Sequence, residues 1–423
     1  MTNNKKKSNN KKQNEKKSYR NLNAETVDSL KRLSCALVEL DDKGEEEMKT
    51  IKSEHIMGLP LAHWKEMNDE VEHAYKMLND GAELIKATST KYTLLGKINI
   101  EDGSKLSEEL RQGCELVSTS ALLIHQPSLG CARPTRKFIK QHARSIITSV
   151  IALVESFVTL KALDGNEGAQ KTGSVWSACD AISTKLPKGN RACMRREMFT
   201  WAGDCNETME EFQEIVDLGP VESASDGQID EGNNSDDPNS WDKFCENMGT
   251  GERYTNAEID VANACLAIIK CSRGVLNLAL KASECAGNEI KTCKETTDAL
   301  DSKGILQWIS NLHELSRKVG ENVTDLGMVL YPPINLAVTN ESNNTTDGKT
   351  WMKTDIWSLI SMQIDATKAV ANYVVDVVQP VESHTSIKMS EEVKELGSKL
   401  LFAIDNRKVE AENALSQAFS HSS

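Results

Sequence analysis

The sequence predicts an all-α protein built as two tandem antiparallel helical bundles joined by an acidic linker. Apolar residues recur every three to four positions through long segments, the period of helices with one buried face. Glycine and proline are sparse, 24 and 9 of 423 residues, and aromatics make up only 5%. The segment Glu222 to Glu252 breaks the pattern with nine acids against one lysine, too polar to offset its ordering entropy. The expected order is a basic tail over 1–21, a bundle over 22–217, the linker over 218–252 and a second bundle over 253–419. Length allows either one large domain or two ordinary ones.

The tail Met1 to Arg20 carries seven lysines and one arginine against one glutamate, whereas the whole chain has a formal charge of -13. Its clusters Lys5-Lys6-Lys7, Lys11-Lys12 and Lys16-Lys17 fit either a nuclear import signal or a solubilising extension. A first helix follows from Ala24 to Leu40, with Val27, Leu30, Leu33 and Leu37 at helical spacing. A second is expected from Leu61 to Thr88 and a third from Ser104 to His125. Next comes a basic stripe, Arg133, Lys137, Lys140 and Arg144, on one helical face with Arg136 beside it. Pro134 is tolerated there in the first turn. Cations near a helix N-terminus oppose the helix dipole, so an acidic partner or the protein's own acidic segment would complement them; a solvated face is the plainer reading.

From Arg144 to Lys161 the only charge within the segment is Glu155, and Ile146, Ile147, Val150, Ile151, Leu153, Val154, Phe157, Val158 and Leu160 fall on almost every side. Such a helix is expected to be surrounded by others. It is too short and too rich in Ser and Thr to span a membrane. After turn signals at Asp164, Gly165, Asn166 and Gly168, a helix is expected to start at Ser174, with Ser174 as its cap and Val175, Trp176, Cys179 and Ile182 on one face. Pro187 and Gly189 stop it near Leu186, and Asn190 is expected to cap the next helix. A turn this short makes the two antiparallel neighbours. Trp176 and Trp201 read as core anchors.

In the second half, Asn256 to Ala286 carries Ile259, Leu266, Ile269, Leu276 and Leu280. Ile305, Leu312, Val319 and Leu326 repeat every seven residues with Trp308, Leu315, Asn322 and Val329 between them. This fits a leucine-zipper-like dimer seam or an intramolecular bundle core. Helices from Trp351 to Val378 and from Ser390 to Phe419 complete the second bundle. Ser223, with Asp226 three residues on, is open to phosphorylation, and Trp241 and Phe244 could dock the linker locally.

The hairpin SVWSACDAISTKLPKGNRA, Ser174 to Ala192, resembles the corresponding hairpin of the cyclin-D-binding protein family, the cyclin-D-interacting (GCIP) family. CLAIIKCSRG, Cys265 to Gly274, and LYPP, Leu330 to Pro333, follow in the same order. The residues carrying the likeness are Ser174, Val175, Trp176, Ala178, Cys179, Leu186, Pro187, Asn190, Cys265, Leu266, Tyr331, Pro332 and Pro333, and none is a catalytic signature. The resemblance implies a non-enzymatic protein that binds D-type cyclins and helix-loop-helix regulators and restrains cell-cycle progression and transcription; the basic tail and the cysteine usage add the expectation of cytoplasm and nucleus. With so short a loop and no basic helix leading into it, the hairpin is not expected to dimerise as a helix-loop-helix or to read DNA.

The residues offer no reaction centre to set against this. Gly-x-Ser-x-Gly and phosphate-loop patterns are absent, and Gly249-Thr250-Gly251 is followed by Tyr254 where a dinucleotide fingerprint needs glycine. Eight dispersed His, His63 and His73 among them, form no zinc pattern, so neither metal nor cofactor is expected. Eleven cysteines, an odd number, sit mostly in apolar patterns and read as reduced thiols rather than a disulfide framework. With no apolar signal segment after the tail, the sequons at Asn322 and Asn344 are expected to stay unmodified. The acidic body argues against general nucleic-acid binding. The competing reading is a vinculin- or talin-like cytoskeletal scaffold of long helices. Sequence leaves the oligomeric state open.

Overall fold

The computed structural model describes residues 23–40, 64–65, 67–95, 100–126, 129–159, 166–220, 253–292, 299–335, 354–376, 387 and 389–422. These form ten helices and, among the described residues, no strand, so the fold is all-α. The helices are α1 (23–38), α2 (Asp69–Leu95), α3 (Ile100–His125), α4 (Arg133–Val158) and α5 (Glu167–Thr184). Then come α6 (Gly189–Asp217), α7 (Asn256–Thr292), α8 (Ala299–Met328), α9 (Asp355–Val375) and α10 (Glu391–Ser422). The expected basic tail, most of the acidic linker with Trp241 and Phe244, His63 and the Asn344 sequon lie outside the described residues.

The chain groups into two compact units, Met1–Met194 with Gly287–Ser310 and Arg195–Ala286 with Asn311–Ser423. This grouping does not follow the single division at 218–252 expected from composition. Helix length is the reason: α6, of 29 residues, extends roughly 43 Å at 1.5 Å per residue and contributes to both units.

In the first unit, α2 starts at Asp69 rather than Leu61 because Asn68 caps it, its Oδ1 accepting from the Val71 N–H at 2.8 Å. Helices α2 and α3 run antiparallel. Ser120 Oγ donates to the Ala74 carbonyl at 2.6 Å, and further along Thr88 Oγ1 donates to Glu109 at 3.3 Å. Between these points a Cβ on Gly81 would meet the Gly113 carbonyl at 3.0 Å, and one on Gly113 would meet Ile85 at 2.6 Å. Two glycines thus set the close approach of the pair. Helix α1 closes the core with Val27, Leu30 and Leu37 and ties in through Tyr92 Oη, which donates to Asn23 Oδ1 at 3.0 Å.

Helix α4 buries Ile146, Ile147, Val150, Leu153, Val154 and Phe157, as its apolar run predicts. It is not enclosed on every side. Arg144, Ser145, Thr148 and Thr159 are exposed and Glu155 is half-buried, paired at 2.7 Å with Lys31 of α1. The short hydroxylated side chains supply a wet flank that counting large apolar residues overlooks; Ile151 and Val158 border it, half-buried.

In the second unit, the seven-residue repeat of α8 faces the core, with Leu312, Val319 and Leu326 fully buried, while Leu315, Asn322 and Val329 between them are half-buried. The dimer-seam reading therefore gives way to the intramolecular one. The helix receiving this seam runs parallel to it, a departure from the antiparallel packing expected. Glu197, Trp201, Thr208 and Phe212 of α6 meet His313, Gly320, Gly327 and Tyr331 in that order. A Cβ at Gly320 would lie 2.4 Å from the Trp201 ring, so the glycine is the slot that seats the indole. Parallel neighbours need a long intervening connection, which α7 supplies between α6 and α8. Helices α9 and α10 pack antiparallel, with Gly397 against Val375 and Asp405 paired with Lys368.

Candidate functional site

The hairpin motif is organised around Asn190, 1% exposed. Its side chain does not cap its own helix, as its place after Pro187 and Gly189 suggests; it caps α4. Asn190 Oδ1 accepts from the Ala132 N–H at 2.7 Å and from Thr135 Oγ1 at 2.9 Å, while Nδ2 donates to the Gly130 carbonyl at 3.0 Å. Ala132 is the N-cap residue of α4 and has no side-chain oxygen of its own, so its amide is satisfied from across the core. The turn is held from the other side by Tyr75 of α2. Tyr75 Oη donates to the Pro187 carbonyl at 3.1 Å and accepts from the Gly189 N–H at 3.3 Å, and Cys193 Sγ also faces the Pro187 carbonyl at 3.4 Å. Gly189 has φ +81°, the left-handed region that a Cβ disfavours.

This joint is buried, with the Arg136 guanidinium close to Cys131. Burial holds the Tyr75 hydroxyl well above the ordinary phenol range, with Cys193 nearby adding to the effect. Burial likewise pushes the Cys131 thiol up to about 12. Cys179 on α5 is raised to about 12 by burial and by Asp180 beside it. At neutral pH these groups are protonated and poor nucleophiles, so the chemistry here is positional.

The rest of the motif divides between core and surface. Val175, Ala178, Cys179 and Leu186 are buried and Pro187 is half-buried. Helix α5 begins at Glu167, not Ser174: Gly168 is buried inside it rather than turning the chain, and Ser174 is an exposed mid-helix residue whose Oγ donates to the Gln170 carbonyl at 3.2 Å. Trp176 is 40% exposed and so is no core anchor, unlike Trp201. It lies between two ties from α5 to α2, Thr172 with Thr93 at 2.6 Å and Asp180 with Lys86 at 2.5 Å. Its flank of the helix faces the rim of that packing, a distinction of some 100° that a list of apolar residues does not resolve.

The second motif turn, Tyr331-Pro332-Pro333, is clamped by the start of α7, and Pro332-Pro333 is cis. Tyr254 Oη donates to the Leu330 carbonyl at 2.6 Å. Glu258 accepts from the Thr255 N–H at 2.7 Å through one oxygen and from the Ile334 N–H at 2.6 Å through the other. Thr255 Oγ1 accepts in return from the Glu258 N–H at 3.3 Å, a capping box whose acid also anchors the turn. The Thr-x-x-Glu spacing ahead of an apolar helix is legible in the sequence and marks these residues. Tyr331, 47% exposed, donates to Glu211 and packs edge-on against Phe212, ring centroids 4.9 Å apart. Pro332 is half-buried and Pro333 exposed, while Cys265 and Leu266 are buried on α7.

The basic stripe is only partly outward: Arg133, Lys137 and Lys140 are half-buried, Arg136 is buried and Arg144 is exposed. A sharper charge anomaly lies on α6. Lys188, Arg191, Arg195 and Arg196 crowd its first turns with no acid among residues 188–196, whereas residues 204–217 hold six acids and no base. Both ends oppose the helix dipole, at roughly 0.3–1 kcal/mol per exposed charge. Asp204 is raised by burial and by neighbouring Glu207, another mark of crowding. The buried Glu197 escapes the pattern by meeting His313 at 2.5 Å; no sequence signal singles out that pair.

Among the described residues no cluster of His, Cys, Asp or Glu could hold a metal ion, no disulfide occurs, and no helix is long and apolar enough to cross a membrane. Residues 77–218, from α2 to the end of α6, match the family model described as Grap2 and cyclin-D-interacting, N-terminal. A cyclin-D1-binding protein 1 homolog of Danio rerio is 20% identical over 274 residues, 63% of this chain and 72% of that protein. Its counterpart in Xenopus laevis is 24% identical over 206 residues, 48% of this chain and 54% of that protein, so the chain spans about half that relative's length. The hairpin and its joint lie inside the matched segment, and the resemblance drawn from them holds: over that segment this chain is similar to the N-terminal region of cyclin-D-interacting proteins.

Proposed function

We propose that this protein is a non-enzymatic interaction factor that binds a D-type cyclin and through it restrains cell-cycle progression. The observation carrying this reading is the match over residues 77–218 to a cyclin-D-interacting family model, together with two relatives named for cyclin D1 binding. The motif geometry supports it. Asn190, Tyr75, Tyr254 and Glu258 are committed to backbone partners that fix turns, which leaves a rigid scaffold with binding confined to outer faces.

Helix-loop-helix regulators of transcription are a second partner class in this proposal. They would dock on an outer face, because Val175, Ala178, Cys179 and Leu186 of the hairpin are already buried. The protein would act in nucleus and cytoplasm, with the tail Lys5 to Lys17 as import signal. A cytoskeletal rod finds no support in either relative. The deciding experiment is a pull-down of a purified D-type cyclin by the full chain, beside co-sedimentation with actin filaments. Retention of the cyclin and absence from the actin pellet is the expected outcome; no cyclin retention at micromolar concentration refutes the proposal. Removing residues 1–20 should abolish nuclear accumulation, and an unchanged distribution would remove the import role.

A further inference from the structure

We infer that the outer face of α6 is a self-association surface that pairs antiparallel with the same helix of a second copy. Four observations on one stripe of the helix converge on this occupant. Arg196 and Glu210 are both exposed and stand symmetrically about position 203. Gly203 at that midpoint has nothing within 4 Å of where its Cβ would lie, although a glycine inside a helix is unfavourable unless something uses the space. Phe199, four residues before it, is 52% exposed, held by the Arg195 guanidinium 5.2 Å from its ring centroid. The charge polarity of the helix, basic towards its start and acidic towards its end, opposes its dipole at the two ends.

A dyad through Gly203 resolves all four. The basic half of one copy meets the acidic half of the other, and the dipoles of antiparallel helices also oppose favourably. The two glycines let the backbones approach, and each Phe199 covers the partner copy's helix beside its glycine. The interface is isologous, and its closure limits the assembly to a dimer. The acidic segment 222–252 of the same chain would complement only the basic half and leave unmatched Glu210, which the dyad sets against Arg196 of the second copy. One helix face per copy is a small interface, so the association is of the micromolar, salt-sensitive kind.

The test is sedimentation velocity of the full chain across the micromolar range, with Arg196→Glu and Glu210→Lys made separately. The wild type should dimerise at low salt and weaken in about 0.5 M salt. Each variant alone sets like charges across the dyad twice and should self-associate about tenfold more weakly or less. An equimolar mixture of the two variants should restore the dimer, because every cross-dyad pair is then of opposite sign. Both substitutions are at exposed positions, so circular dichroism should report an unchanged fold. A wild type monomeric at all concentrations overturns the inference, as does a dimer that neither variant weakens. Failure of the mixture to recover overturns the antiparallel register. None of these outcomes depends on cyclin binding.

Discussion

Replacing Asn190 with alanine tests whether one side chain joins the hairpin turn to the start of α4. Three hydrogen bonds disappear: those from the Ala132 N–H, from Thr135 Oγ1 and to the Gly130 carbonyl. The Thr135 hydroxyl can rotate onto a carbonyl of its own helix and recover. The Ala132 N–H and the Gly130 carbonyl are backbone groups in a buried segment and cannot, and each orphan costs about 1–3 kcal/mol. Loss of side-chain volume at a site 1% exposed adds to this, giving about 3–5 kcal/mol in all. Asn190→Asp keeps the acceptor but turns a carboxylate oxygen toward the Gly130 carbonyl, so its cost should be intermediate. Urea denaturation followed by circular dichroism measures the total, and hydrogen exchange in a peptide spanning 130–136 localises it. A loss below about 1 kcal/mol for Asn190→Ala, or unchanged protection of that peptide, would refute the capping role.

Gly320→Ala should destabilise the second unit by about 1–3 kcal/mol, because the new Cβ would lie 2.4 Å from Trp201, while Gly173→Ala, with nothing within 4 Å, should stabilise by up to about 1 kcal/mol. Chemical denaturation of the two variants side by side checks the contrast in sign. Tyr254→Phe should cost about 1–2 kcal/mol through the lost bond to the Leu330 carbonyl and should raise hydrogen exchange in 330–335 first. Native alkylation at pH 8 should modify exposed Cys35 quickly and leave Cys131, Cys179 and Cys265 intact until denaturant is added, as peptide mapping would show. Burial raises those three thiols from an ordinary 9.0 to about 12. Above pH 9 the unfolded chain therefore binds fewer protons than the folded one. Stability should fall as pH rises from about 9 towards 12, and an alkaline titration of the urea midpoint that stays flat would contradict this.

Helix content was legible because it depends on local periodicity: the apolar spacings of α1, the α8 seam and the Leu186 to Gly189 stop all survive in the structure. Directions across the core were not. Whether Asn190 caps its own helix or α4 depends on where Gly130 and Ala132 arrive, more than fifty residues earlier in the chain. Whether Trp176 is core or rim depends on the angle at which α2 lies against α5. Gly168 reads as a turn signal in isolation and serves as a buried helix residue, because packing outweighs its weak helix propensity.

By itself the sequence determined an all-helical chain, its main stops and its likeness to cyclin-D-interacting proteins. Those features follow from side-chain period, proline and glycine placement and short motifs, all of which act over a few residues. Only the tertiary structure decided that α6 and α8 run parallel, that the compact units interleave along the chain, that α4 keeps a wet flank, and that the motif residues are spent on joints. Each of these is set by contacts between segments distant in sequence, where a glycine slot or a single buried amide selects among packings that the local pattern leaves equally open.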